Sequence, residues 1–132
     1  MPEKSIPRLQ LTLLSFGFKY NEPPAASLVF DVRFLPNPYW IETLRPYSGL
    51  EPAIADYVLR APESNRFLEL LDPLLLHIIA EHDSQHKKEL CLAVGCTGGR
   101  HRSVAVIEAL KQRLIHLPVD LSVSHRDIDR EE

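Results

Sequence analysis

Residues 90–116, LCLAVGCTGGRHRSVAVIEALKQRLIH, constrain this chain more than any other stretch. An apolar run from Leu90 to Val94 stops at Gly95. The segment Cys96-Thr97-Gly98-Gly99-Arg100-His101-Arg102-Ser103 follows, glycine-rich and basic. Val104, Ile107, Ala109, Leu110 and Leu114 then recur at helical spacing. Strand, tight loop and helix make a unit whose loop amides and helix N-terminus converge on one point, and such a point favours an anion. The pattern predicts a phosphate or sugar-phosphate site.

The flanks supply the rest of a fold. Residues 9–18 read as a first strand ending near Ser15-Phe16-Gly17, and residues 28–34 as a second. The continuous apolar start of the second predicts cover on both its faces. Residues 36–50 carry Pro36, Pro38 and Pro46 and no convincing element, and a loop that long points to function. Residues 51–59 predict a short helix, with Pro52 in its first turn and Pro62 closing it. Ser64 reads as the N-cap of a longer helix carrying Phe67, Leu68, Leu70, Leu71, Leu74, Leu75, Ile78 and Ile79 at helical spacing, kinked or broken at Pro73. A third strand spans residues 89–95, a helix residues 103–117 and a last strand residues 119–125. Residues 126–132 are too polar to need a fixed place. The order predicts one α/β domain over residues 1–132, with an ordered core at about 9–126. Its sheet is mainly parallel with flanking helices, and the anion-binding loop lies at the strand C-terminal edge.

Composition narrows the function. A net charge of −3 lacks the basic excess of a general nucleic-acid binder. Cys91 and Cys96 form neither a disulfide framework nor a CxxC pair, which suits a reducing, cytoplasmic setting. The apolar run at residues 74–80 is too short to span a bilayer, and residues 1–10 lack the apolar centre of a leader. His77, His82 and His86 have poor spacing for a metal site, so neither a metal nor another cofactor is expected.

Cys96 to Ser103 also fits the C-x-x-G-x-x-R-[S/T] loop of cysteine-dependent phosphatases. There, amides from Thr97 to Arg102 would cradle phosphate oxygens, and Arg102 would clamp two of them. Cys96 would be a thiolate nucleophile held by Ser103. However, Gly95 stands where that loop usually has histidine. No tryptophan-proline-aspartate segment supplies an acid, since Trp40 precedes Ile41 and Glu42. With acid, base and nucleophile incomplete, the reading favours a binder over an enzyme. Arg33 and Arg45 are candidates to reach the same edge, with pairing to Asp31 the alternative for Arg33; Tyr39 and Trp40 suit a lid, an oligomer surface or core packing.

Four blocks, SFGFKY (15–20), FDVRFLPNP (30–38), LRPYSGL (44–50) and GCTGGRHRSV (95–104), together resemble the C-terminal domain of the RNase adapter protein RapZ family. The resemblance implies glucosamine-6-phosphate, or a related sugar phosphate, in the glycine-rich loop. It assigns that ligand to Thr97, Gly98, Gly99, His101, Arg102 and Ser103, with Arg100 where a lysine can stand. Arg33, Arg45 and Tyr39 fall in matching blocks. Tyr39 replaces a histidine that helps hold the sugar phosphate in the enteric member, which leaves phosphate binding intact and alters amino-sugar recognition. The resemblance further implies a regulatory adapter with a protein partner and a homo-oligomeric state. The P-loop domain of full-length members is not found in this sequence, so nucleotide binding is not carried over to this stand-alone domain. Small-RNA binding is an alternative. It is disfavoured by the ending Asp127-Ile128-Asp129-Arg130-Glu131-Glu132, which repels a phosphate backbone. A phosphatase using Cys96 and Arg102 is the other alternative.

Overall fold

The computed structural model describes residues 8–132. The expectation that no leader begins the chain falls largely on residues 1–7, outside those described. The alternating leucines of the first strand place it at the centre of the sheet. In β1 (Gln10–Gly17), Leu11 and Leu13 are buried, and from Ser15 onward every residue is enclosed. β1 pairs in parallel with β3 (Glu89–Cys96) on one side and β4 (Asp120–His125) on the other. β2 (Leu28–Asp31) pairs with the far side of β3, giving the all-parallel order β2-β3-β1-β4.

β2 departs from expectation. It is shorter than residues 28–34, and as an edge strand it leaves Val29 43% exposed instead of covered on both faces. An apolar run this short does not separate an inner strand from an edge strand whose side chains lean on a helix. Phe30 and Phe34 do lean on one, each packing edge-to-face against Phe67 at centroid distances of 6.1 and 5.7 Å.

Phe67 belongs to α2 (Pro62–Ser84), which follows α1 (Pro52–Leu59) almost directly. Pro62 closes α1 and also opens α2, at a position where its missing N–H is no loss. Ala61 is the N-cap; Ser64 lies inside the helix, buried, and its hydroxyl donates to the Val58 carbonyl. Pro73 neither ends nor divides the helix. Its ring sits on the exposed side, while Leu68, Leu71, Leu75 and Ile79 form the buried stripe. The carbonyl that loses its partner therefore faces solvent.

α3 (Arg102–Leu114) lies across β1, β3 and β4, and α1 packs on it. Their apolar faces join α2's stripe in one core with Leu9, Leu13, Leu92 and Ile107. A buried polar chain ties three of these elements: Ser15 Oγ is 2.6 Å from His125 Nδ1, and His125 Nε2 is 2.9 Å from Glu108 Oε2. Ser15 is fully enclosed, so the chain fastens the sheet to α3 and offers no open nucleophile. Within the loop between β2 and α1, a single 3₁₀ turn, Pro38–Trp40, is capped by the Asn37 side chain.

Because every strand runs the same way, Gly17, Asp31, Cys96 and His125 end at one edge of the sheet. The neighbours β1 and β3 lead onward to opposite outer strands, β2 and β4, and a crevice for a ligand belongs between such a pair. No helix among the described residues is long and apolar enough to cross a membrane.

The exposed setting of Pro73 makes a test of its helical role. Pro73→Ala restores the hydrogen bond and removes the ring clash without opening a cavity, so urea unfolding should show a gain of about 1–3 kcal/mol. A loss of stability would mean that the Pro73 ring contributes to packing or restricts the unfolded chain by more than the hydrogen bond it removes.

Candidate anion-binding site

The site begins with a close approach between glycines. A Cβ at Gly17 would lie 2.3 Å from the Gly98 carbonyl carbon, and one at Gly99 would lie 2.5 Å from the Gly17 nitrogen. Gly99 also has φ of +78°, a backbone state that other residues rarely adopt. The loop after β3 can therefore lie flat against the end of β1. The chain beyond β1 then zips onto it, with Phe18 N–H donating to the Cys96 carbonyl (2.9 Å) and Lys19 N–H to that of Thr97 (3.1 Å). From the other side, Gly49 N–H donates to the Arg100 carbonyl at 2.8 Å.

α3 starts inside this enclosure with no side-chain cap and no acidic residue in its first turn. Its leading amides have no intrahelical partners, and the helix dipole adds positive potential there. Two buried basic side chains stand at the same place. Arg102 is 3% exposed; its Nη1 donates to the Arg33 carbonyl at 2.7 Å and its Nη2 to Thr97 Oγ1 at 3.2 Å. His101 is fully enclosed, and its Nε2 lies 3.0 Å from the Arg45 carbonyl. A carbonyl only accepts, so Nε2 carries the proton. That leaves Arg102 Nε and His101 Nδ1 as the buried side-chain nitrogens without a hydrogen-bond partner among the described residues. A buried polar atom left unsatisfied costs about 1–3 kcal/mol, so both are poised for a partner brought from outside.

Cys96 is enclosed beneath the loop. Its thiol lies 3.2 Å from Ser103 Oγ, and Gly99 N–H donates to the sulfur at 3.3 Å. Burial pushes the Cys96 thiol up from its ordinary value, and the Glu132 carboxylate adds to the effect; the contacts from Ser103 and Gly99 only partly oppose it. The group is a thiol here, not a thiolate.

The segment after β4, expected to need no fixed place, is folded onto the site. Asp127 is 1% exposed and accepts the Gly17 N–H at 2.8 Å and Arg126 Nε at 3.0 Å. Arg130 Nε is 3.4 Å from its other oxygen. Beyond it, Lys19 Nζ and the Tyr20 hydroxyl donate to the Glu132 and Glu131 carbonyls. The Glu132 side chain, 3% exposed, enters the loop, where Oε2 accepts Arg100 N–H at 3.0 Å. Arg102 Nη2 and His101 Nδ1 each stand 3.9 Å from this carboxylate. Polarity hid these roles, because a charged residue reads as solvated until its buried partner is known. The alternation of arginine and acid at residues 126–130 is the trace that pairing left in the sequence.

The other candidates divide. The Arg100 guanidinium points away from the loop and holds the Ile128 and Pro46 carbonyls, both at 2.7 Å. Arg45 stacks over the Tyr39 ring at 4.7 Å and donates to the Tyr39 carbonyl at 2.6 Å. Tyr39, Arg45 and Arg100 line a cavity of about 500 Å³ beside the loop, together with Glu42, Arg130 and Glu132. Arg33 does not join them. It grips Asp31 at 2.6 Å and lies 4.2 Å over the Phe18 ring, and this bond holds the Asp31 carboxyl below its usual range. Trp40 is 73% exposed. Among the described residues, no group of three or more His, Cys, Asp or Glu side chains is placed to hold a metal ion.

A model of the RapZ C-terminal domain family matches residues 9–129, nearly the whole chain. The chain belongs to this family. It is 47% identical over 128 residues to a protein of Trichlorobacter lovleyi named as a nucleotide-binding protein, an alignment covering 97% of this chain and 45% of that one. A nucleotide-binding protein of Caldicellulosiruptor bescii is 43% identical over 129 residues, covering 98% and 44%. One of Streptomyces coelicolor is 48% identical over 125 residues, covering 95% and 42%. The chain thus spans less than half the length of these relatives. The family match stops short of Arg130, Glu131 and Glu132.

The state of Cys96 is open to direct measurement. Iodoacetamide at neutral pH should leave Cys96 unmodified in the folded protein and label it after unfolding, as read by peptide mass spectrometry. Rapid native labelling would mean a thiolate. Because the folded thiol holds its proton above the ordinary value of 9.0, its contribution to stability is complete below that pH and is lost as pH rises through it. Cys96→Ala should flatten this part of the alkaline limb in a pH series of unfolding.

Proposed function

We propose that this chain is a receptor domain for a phosphorylated metabolite, a sugar phosphate, and that it acts as a regulatory adapter through another macromolecule. One observation carries the reading. Two buried basic side chains, Arg102 and His101, stand beside the glycine loop at an uncapped helix start, each with a side-chain nitrogen left without a partner. That arrangement offers a tetrahedral oxyanion amide donors, a guanidinium edge and an imidazole together. Thr97, Gly98, Gly99, Arg100 and Ser103 supply the loop. The cavity bounded by Tyr39 and Arg45 has room for the rest of a hexose phosphate. In this reading Arg33 contributes its carbonyl to the Arg102 side chain, and its own guanidinium serves Asp31.

The phosphatase alternative finds little support, because the Cys96 thiol is buried and protonated and its hydrogen bond runs to Ser103. The relatives are named for nucleotide binding, but they are more than twice as long as this segment, and the reading rests on the loop instead.

Isothermal titration with glucosamine-6-phosphate, glucose-6-phosphate and inorganic phosphate tests the proposal. Binding in the micromolar-to-millimolar range is expected for the sugar phosphates, and no heat with any of the three would end it. Arg102→Lys keeps the charge and loses the planar fork. With thermal unfolding confirming a folded variant, its affinity should fall by about 2–3 kcal/mol, toward the lower end for a buried charge partner. Unchanged affinity would show that Arg102 is only a structural tie.

A further inference from the structure

The seat of the Glu132 carboxylate raises a question that the phosphate reading leaves open. Burying a carboxylate is unfavourable unless donors and cations compensate it. Glu132 finds compensation at the anion loop: one amide bond from Arg100 at 3.0 Å, a long contact from the Cys96 thiol to Oε1 at 3.6 Å, and Arg102 and His101 at 3.9 Å. The loop is shaped to admit it. A Cβ at Gly98 would lie 2.2 Å from the Glu132 Cα, so that glycine lets the incoming backbone approach. We propose that Glu132 is an internal competitor for this site, its carboxylate standing where an oxyanion of the ligand binds, so that ligand enters only as Glu132 leaves. The inference rests on the phosphate reading and adds the regulation of that site.

The geometry makes the competitor displaceable. A planar carboxylate held by one short bond leaves Arg102 Nε and His101 Nδ1 without hydrogen-bond partners. A tetrahedral phosphate carries more acceptor oxygens and a larger charge, so it can engage donors that the carboxylate does not. The tether is also short. Asp127, locked under Gly17 N–H at 2.8 Å, anchors the segment five residues before Glu132. An anchor this close keeps the carboxylate at an effective concentration of roughly millimolar, comparable to a metabolite. Glu132 also lines the adjoining cavity, so its side chain can swing out into that space without unfolding β4 or releasing Asp127.

The test titrates the full chain and its Glu132→Gln, Glu132→Ala and Glu131→Gln variants with inorganic phosphate. Removing the competing charge should raise phosphate affinity about tenfold, since a site occupied for most of the time binds weakly in proportion to its free fraction. Glu131, exposed at the same cavity but outside the loop, controls for the loss of a nearby charge, and its variant should raise affinity far less than either Glu132 variant. Equal affinity of the parent and both Glu132 variants would overturn the inference while leaving the phosphate site standing. No binding by any of them would remove the phosphate reading, and the competitor with it. A ligand-free readout tests the contact separately. Exchange of the Arg100 amide proton should quicken in Glu132→Ala, and an unchanged rate would show that the carboxylate does not occupy the loop.

Discussion

The contact of Gly17 with Gly98 and Gly99 is the constraint from which the site follows. Side chains on these residues would hold the loop after β3 away from the end of β1. With the strands apart, Phe18 and Lys19 could not zip onto the loop, and Asp127 could not cap the Gly17 amide. Backbone pressed on backbone lets amides from separate strands face one small volume. The sheet order makes the encounter possible, because β1 and β3 are neighbours although β2, α1 and α2 all lie between them in sequence.

Charge is then brought in where water is scarce, and each side chain is fixed before it faces the opening. Arg102 donates to the Arg33 and Leu35 carbonyls and to Thr97 Oγ1, and His101 spends one nitrogen on the Arg45 carbonyl. The bonds to Arg33, Leu35 and Arg45 run to the loop between β2 and α1, so the same residues that shape the site also hold that loop in place. Rigid donors bind an anion with little loss of side-chain entropy, which is the advantage of preorganisation. The arrangement also explains why so long a segment without a regular element stays ordered. Its carbonyls are anchored by Arg100, His101 and Arg102 in succession.

Much of this was legible in the sequence. The strand-loop-helix unit was read from Leu90 onward, and the parallel α/β class from the order of elements, because periodicity and glycine placement are local signals. What escaped was set by partners distant in sequence. Val29 and Phe30 read as a covered strand, but β2 lies at the sheet edge, and edge position is a matter of topology. Pro73 read as a kink or a break, yet the helix runs through it, its ring faces solvent and the stripe on the opposite face holds the helix. For Arg33 the sequence left two readings open, reaching the site or pairing with Asp31, and its guanidinium makes the pair. Asp127 and Glu132 read as solvated because nothing local indicates a buried amide waiting for a carboxylate.

The lock of Asp127 on Gly17 has one more consequence. The walls of the loop come from the ends of β1, β3 and β4 and from the segment before α1, positions that no partial arrangement of the chain brings together. The site therefore exists only when these ends are packed together, and a ligand held there is linked to unfolding of the domain as a whole. At a hundredfold excess over its dissociation constant, such a ligand would stabilise the whole domain by about 2.7 kcal/mol. Its supply would then bear on how long the chain stays folded, because unfolding exposes a chain to proteases.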